Sequence, residues 1–487
     1  METNQEILKY TLSLNLKRFR AANNLSLKDL SDSTGLSASY LNEIEKGKKY
    51  PKIDKLIPLA EKFKVNINQL ISPTDEPGAI FLLTFLKSKF FKDFPFEIFG
   101  LTKLDFFELM SSNPEKFASL LKAVTGMANN FEIEMEDFHK IALRSYQESK
   151  KNFFPDIEEK ADLFMKKVSA TIEDFEKILT KNFDYEINYT LLNKNEILKE
   201  VGSVFKQGKK KTLLINENLH APQKLFILGK EIGYCVLGLE RQEEDSSYFE
   251  HILNDFKASY FSGCLLIPKN MIVEDLKSLF QKKKFPANDF IKLIKKYNTN
   301  TEVLLNRVTQ VLSGYLKIEN LFFLRLKSFQ DPQSKERKLK INKELHFSKL
   351  HFAHGIGLPE HYCRRWVTLT ILEELEKNSD PKNAPLIRAQ RSIMANNGEK
   401  YFCVSIAIKS SLKKKTYSCI TIGIAMDQAS EKKIKFLSDL SIPEKIVGRT
   451  CERCELTDCQ ERAHPPIIAN EIKNKELVKN AIDSLIV

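Results

Sequence analysis

The sequence predicts a multidomain chain, mainly α, with an α+β C-terminal half. Three observations carry that prediction. Apolar residues recur at helical spacing through most of the first 180 residues. β-rich runs appear only later, at Tyr185–Thr190, Lys211–Asn216, Tyr401–Ile408 and Tyr417–Met426. The length, 487 residues, exceeds what one ordinary core organises and implies roughly three domains.

Composition bounds the class. Hydrophobic content of 42% and charged content of 29% belong to a soluble globular chain, not a disordered one. The formal charge of +12 permits a polyanionic partner without requiring one. The most apolar stretch, Ala79–Leu86, is far shorter than the ~20 residues a bilayer crossing needs. Met1–Glu6 has neither the basic start nor the apolar core of a signal peptide. The expectation is a cytoplasmic protein with no membrane partner and with reduced cysteines.

In chain order, Leu8, Leu12, Leu16 and Phe19 predict a first amphipathic helix ending near Asn23–Asn24. Ser26 caps a second helix, Leu27–Ser33, and Gly35 supplies a tight turn. Ser37 caps a third helix, Ala38–Lys46, stopped by Gly47 and Pro51. Leu30, Leu36, Leu41 and Ile44 fall on inner faces, while Ser39, Tyr40, Asn42 and Glu43 face out. Two further short helices, Lys52–Phe63 and Asn66–Ile71, complete residues 1–72 as a five-helix unit. Two helices joined by a Gly-containing turn inside such a unit make the helix-turn-helix arrangement.

The segment Leu25–Phe63 closely resembles the Cro/phage-repressor family, whose third helix enters the major groove of double-stranded DNA. The resemblance puts Ser37–Glu45 in the groove, with Ser39, Tyr40 and Asn42 reading base edges and Ser37 in the same DNA-binding set. Lys28, Lys46, Lys48 and Lys49 are placed for phosphates, which set affinity but not sequence. Arg20 and Glu45 occupy the positions of a structural ion pair.

Pro73–Pro77 reads as a linker, and residues 73–180 as a helical, Phe-rich packing or dimerisation module. In the next unit, 181–345, the helix QKLFILGKEIGYCVLGLE lies where helical zinc peptidases carry H-E-x-x-H. The five positions here are Lys230, Glu231, Ile232, Gly233 and Tyr234, and only the glutamate survives. Phe256–Pro268 resembles the second helix of ImmA/IrrE-type peptidases, with Lys257 where a ligand carboxylate belongs. A protonated lysine cannot ligate zinc, so the resemblance implies a degenerate peptidase-like fold with no catalytic residues. Lys230 and Lys257 either suit an anion or face solvent. Segment 270–345 reads as helical and charged.

Residues 346–487 form the last unit. Three of the eight cysteines, Cys451, Cys454 and Cys459, fall within nine residues. In a reducing compartment that spacing points to metal or redox chemistry, since three thiolates in one loop can share an iron–sulfur cube or one zinc. A cube leaves one iron for Cys363 or an exogenous ligand. Zinc would recruit His464 instead.

Val447–Pro466, with Ala142–Glu158, Lys257–Pro268 and the leading helix-turn-helix, closely resembles the short-chain fatty acyl transcriptional regulator family over nearly the whole chain. The resemblance implies a DNA-binding regulator and homodimer whose effector is a short-chain acyl-CoA, not an enzyme. It also implies a [4Fe–4S] cluster on Cys451, Cys454 and Cys459, with zinc as the alternative. The chain departs from the family at Cys363-Arg364-Arg365-Trp366, where a proline commonly follows the cysteine, and at His464, where phenylalanine is common. Acyl-CoA needs cations for its phosphates and an apolar slot for its acyl group. Lys257, Arg364, Arg365 and Arg388 are candidates for the first, and Tyr260, Phe261 and Trp366 for the second. Two alternatives differ in class: a redox or metal sensor without acyl-CoA, and a peptidase-type repressor, which an intact H-E-x-x-H would have supported.

Overall fold

The computed structural model describes residues 2–72, 77–88, 91, 94–112, 114–130, 135–166, 168–241, 248–331, 333–347, 360–377, 384–413 and 415–485. It divides into two compact units, residues 1–142 with 242–252, and residues 143–241 with 253–487.

In the first unit, α1 (Glu2–Ala22), α2 (Leu27–Thr34), α3 (Ala38–Glu45), α4 (Ile53–Phe63) and α5 (Ile67–Ile71) begin and end where local chemistry directs. Ser26 and Asp29 form a reciprocal capping box at the start of α2, which satisfies two otherwise orphaned backbone donors. Gly35 ends α2 in the left-handed region at φ 70°. Ser37 Oγ accepts the Tyr40 N–H at 3.2 Å to open α3.

Helix α1 has two working faces. Leu12, Leu16 and Phe19 pack with Leu30, Leu41, Ile44 and Leu59. Tyr10 and Leu14 enter a second, Phe-rich core built from α6 (Pro77–Lys87), α7 (Lys103–Ser112) and α8 (Pro114–Asn130). Tyr10 stacks on Phe107 of α7 with ring centroids 4.0 Å apart. Leu8, expected on the inner face, is 43% exposed because it lies beyond the reach of both cores. Of the linker Pro73–Pro77, residues 73–76 lie outside the described residues and Pro77 opens α6.

Helix α9 (Met135–Ser149) leads to the second unit. There α10 (Pro155–Met165) and α11 (Ile172–Asn182) precede a small sheet of β1 (Tyr185–Asn188), β2 (Ser203–Lys206) and β3 (Lys211–Ile215). β3 is central, parallel to β1 and antiparallel to β2. Five helices follow: α12 (Ala221–Leu237), α13 (Tyr248–Leu266), α14 (Lys269–Phe280), α15 (Ala287–Lys296) and α16 (Thr301–Gly314).

A six-stranded sheet comes next, of β4 (Leu321–Gln330), β5 (Arg337–His346), β6 (Leu386–Met394), β7 (Lys400–Lys409), β8 (Thr416–Ala425) and β9 (Glu444–Val447). Its order is β5-β4-β8-β7-β6-β9, antiparallel except for β6 with β9. Helix α17 (Val367–Lys377) lies between β5 and β6 in sequence, and α18 (Gln428–Lys433) and α19 (Ile467–Leu485) come after β8 and β9.

The end of segment 270–345, read from sequence as helical, is the β4–β5 hairpin. For β4 the reason is double-sided burial, whereas β5 is exposed or half-buried over six of its ten residues. Phe323, Phe402, Ile406 and Ile420 point into the core shared with α16, while Phe322, Leu324, Tyr401 and Cys419 pack against Leu369 and Leu372 of α17. A strand covered on both faces loses the polar alternation that marks a half-exposed one.

Candidate functional site

On the first unit, α3 presents Ser37 and Ser39 exposed and Tyr40 and Asn42 half-buried, and Lys28 on α2 is exposed. Its C-terminal end is fixed from below. Arg20 reaches both oxygens of buried Glu45, at 2.6 and 2.9 Å, and also the Leu25 carbonyl at 2.9 Å. Ser13 Oγ donates to the Glu45 carbonyl. A bidentate guanidinium–carboxylate pair fixes orientation as well as distance, so the outer face of α3 is presented rigidly. Lys49 pairs with Glu43 at 2.7 Å, whereas Lys46 and Lys48 lie 3.3 and 3.5 Å from Glu108 on α7.

On the second unit, α12 holds the remnant of the peptidase signature. Glu231 is buried, joined to Arg241, and accepts the Tyr185 hydroxyl at 3.2 Å. Lys230 pairs with Asp255 of α13, and Tyr234 donates to the same carboxylate at 3.2 Å. The Arg241 guanidinium sits over the Tyr234 ring at 3.9 Å. Cations and phenols thus satisfy both carboxylates, Glu231 and Asp255. Among the described residues, the three-ligand group close enough for one ion lies elsewhere, at His361, Glu452 and His464.

Burial raises the Glu231 pKa against the opposing pull of Arg241. Glu231→Gln is expected to leave DNA regulation intact, as read by operator binding. A zinc-dependent cleavage lost in this variant would contradict that expectation, since a general base needs a metal-bound water to activate.

The seven candidate ligand residues do not gather at one place. Tyr260 is buried, donating to Glu158 at 2.8 Å and accepting the Phe154 N–H at 3.2 Å. Phe261 is fully buried core, and Lys257 is half-buried one turn before them. Trp366 belongs to the α17 face of the large sheet, where its indole N–H donates to the Gly448 carbonyl at 2.8 Å. Arg364 lies 3.6 Å from Glu373, Arg388 pairs with Glu374 at 3.1 Å, and Arg365 is half-buried. What sequence reading missed is a cavity of about 430 Å³ beside Tyr260, with Arg307 and Lys343 in its wall. The available signal was a lone arginine in the apolar helix TEVLLNRVTQVLSG.

Two of the tail cysteines, Cys451 and Cys454, lie beside Cys363. Backbone bonds tie the segment before α17 to the tail: Cys451 N–H donates to the His361 carbonyl at 2.8 Å, and Cys363 N–H to the Arg449 carbonyl at 3.3 Å. Cys363, Cys451 and Cys454 are buried and Cys459 is half-buried. Burial, with Cys454 and Cys451 close by, pushes the Cys363 thiol up to about 11. Gly448 leaves the space: a Cβ there would lie 2.8 Å from Cys454 Sγ. Two backbone N–H groups aim at sulfur, Gly448 at Cys363 and Ala463 at Cys451, each at 3.4 Å. Amide donors around buried thiols are one way a protein tunes an iron–sulfur cluster, and Cys363, Cys451 and Cys454 have the donor chemistry such a group takes; no contact among the described residues brings Cys459 to them. His464 instead stacks on His361, with centroids 3.2 Å apart, and His361 Nδ1 lies 2.7 Å from Glu452.

Residues 15–76 match the model of a helix-turn-helix domain, 172–309 that of an IrrE N-terminal-like domain, and 345–481 that of the short-chain fatty acyl coenzyme A regulator, C-terminal. An uncharacterized HTH-type transcriptional regulator of Sinorhizobium fredii (strain NBRC 101917 / NGR234), y4dJ, is 32% identical over 62 residues, which is 13% of this chain and 80% of that protein. No solved structure matches the chain. No helix among the described residues is long and apolar enough to cross a membrane.

Proposed function

Because the chain belongs to the short-chain fatty acyl family of helix-turn-helix transcriptional regulators, we propose that it reads an operator with α3 and adjusts that binding to a short-chain acyl-CoA. It would act in the cytoplasm as a homodimer and not as an enzyme. The observation that carries the DNA reading is the presentation of Ser37, Ser39 and Asn42 on α3, whose far end the Arg20–Glu45 pair anchors, with Lys46, Lys48 and Lys49 following that end. Exposed Ile472, Leu477, Val478 and Ile482 on α19 support self-association, which molar mass in solution tests.

Cys451, Cys454 and Cys459, with Cys363 as fourth ligand, would hold a [4Fe–4S] cluster. When bound, it supplies a redox-sensitive cross-link between the tail and the segment before α17. An effector can shift DNA affinity only as far as it prefers one conformation over another, and such a cross-link gives the C-terminal domain a defined one. A second reading, redox or metal input without acyl-CoA, is favoured by an opening of about 220 Å³ that reaches Cys454.

Ser39→Ala with Asn42→Ala tests the DNA reading. Sequence discrimination should fall by about 1–3 kcal/mol per lost base contact, while salt-dependent binding to random DNA persists. Unchanged operator preference in competition assays would show that α3 is not the reader.

A further inference from the structure

Two of the segments that carry the family resemblance, Ala142–Glu158 and Lys257–Pro268, meet around the 430 Å³ cavity. Gln147 and Asn152 come from the first and Tyr260 and Gly263 from the second; α16 and Lys343 of β5 close the wall. The volume falls within the range of about 300–1,000 Å³ usual for small-molecule sites.

The walls differ in chemistry. Leu219, Phe226, Ile227, Phe256 and Leu412 make one apolar region. The polar residues have donors to spare. Arg307 is neutralised by Glu158, to which it is joined through both terminal nitrogens, one at 2.8 Å. Lys343 donates to Asn306 Oδ1 at 3.1 Å and forms no ion pair among the described residues, because neighbouring Glu302 is engaged by Arg325 at 2.7 Å. Gln310, 6% exposed, spends its carbonyl on Arg307 at 3.1 Å, which leaves its amide N–H groups without an acceptor among the described residues. The amide of Asn306 is in the same position, since its carbonyl receives Lys343. Gln147, 5% exposed, reaches only Asn152, at 3.5 Å. A carboxamide brings two donors, and those left over here are open to a ligand or to water in the cavity.

We propose that this cavity is the effector chamber, taking a short acyl chain against Phe226, Ile227 and Phe256 and its oxygen-bearing head at Lys343, Asn306 and Gln310. The proposal rests on the acyl reading above. Lys343, with Glu302 and Arg325 beside it, offers at most one positive charge, which suits a single carboxylate or a thioester carbonyl; it does not suit the multiply charged nucleotide end of coenzyme A, which would stay outside. The shared chemistry therefore has two sources, a free short-chain acid and its coenzyme A thioester.

Titration calorimetry on the full chain, with butyrate, butyryl-CoA and coenzyme A as probes, separates them. Lys343→Met should weaken whichever acyl probe the wild type binds by tenfold or more. Ile227→Phe, which adds bulk to the apolar lining, should weaken butyryl probes more than acetyl ones. Thermal unfolding checks that both variants fold. Binding of butyrate lost in Lys343→Met identifies the free acid as sufficient, and loss confined to butyryl-CoA identifies the thioester; both support the chamber. Equal acyl affinity in the wild type and both variants overturns the chamber and leaves the acyl reading standing. A wild type that binds neither acyl probe, and whose operator affinity neither probe changes, overturns both.

Discussion

Arg307→Met should lower folding stability by about 3–5 kcal/mol, the usual cost of leaving one partner of a buried ion pair uncompensated. Arg307 and Glu158 are 1% and 2% exposed, and they bridge α16 and α10 across 149 residues of chain. Arg307 Nε also donates to the Ile267 carbonyl at 3.0 Å, so its loss leaves the carboxylate with the Tyr260 hydroxyl but without its guanidinium, and strips a donor from a backbone oxygen. Burial alone would raise the Glu158 pKa, but the bonds and charge of Arg307 outweigh it and hold the carboxyl below its ordinary 4.5. A depressed carboxyl contributes stability that is fully present above its unfolded pKa and is lost as pH falls through the folded value. The gap between wild type and variant, measured by chemical denaturation, should therefore be widest near neutral pH and narrow below pH 4.5. Adding Glu158→Leu should recover most of the loss, because two apolar groups leave no charge to compensate. A single variant as stable as the wild type would mean that the pair is solvated.

Legibility in the sequence followed the range of the forces involved. Capping and turn formation act over three or four residues, so Ser26, Gly35 and Ser37 mark α2 and α3 directly. The β7–β8 pair was also readable as two β-rich runs. The β4–β5 hairpin was not, because β4 is covered on both faces and its apolar run does not declare a period. Local pattern cannot report distance either. Tyr260 and Trp366 look alike as slot aromatics, yet they belong to different cores. The pairing of Lys46 and Lys48 with Glu108 likewise depends on α7 reaching the end of α3, as the contact of Gly47 with Phe107 requires. Lys343 reads as one more basic residue in a basic chain, and Arg307 stands out only as the lone arginine of the helix TEVLLNRVTQVLSG. Only burial beside a cavity separates them from the rest.

Cys451→Ser, Cys454→Ser and Cys459→Ser are each expected to abolish metal content and blunt the effector response, if the tail holds the proposed cluster. The segment has little apolar core of its own. Arg462 braces it by donating to the Cys451 carbonyl at 2.7 Å and the Cys454 carbonyl at 3.2 Å, contacts that presuppose the loop is already closed. For so small a loop, metal binding is folding free energy, so one lost thiolate loosens the whole of Val447–Pro466. Iron and zinc analysis of anaerobically purified protein reads the first effect, and operator titration with effector reads the second. DNA binding itself should survive, because residues 1–72 contain no cysteine. Cys403→Ser and Cys419→Ser serve as controls: both thiols are buried in the large sheet, pushed up to about 12 by that burial, and should act as mild core changes. Cys363→Ser and His464→Ala then identify the fourth ligand. Cys363 receives the Gly448 N–H beside the tail thiols, whereas His464 is stacked on His361. Metal loss should therefore follow Cys363→Ser, and loss in His464→Ala alone would indicate zinc. Full metal occupancy in all three tail variants would leave these cysteines as ordinary buried thiols, and the tail would then have to be held by Arg462 and the His361–Glu452 pair without a metal.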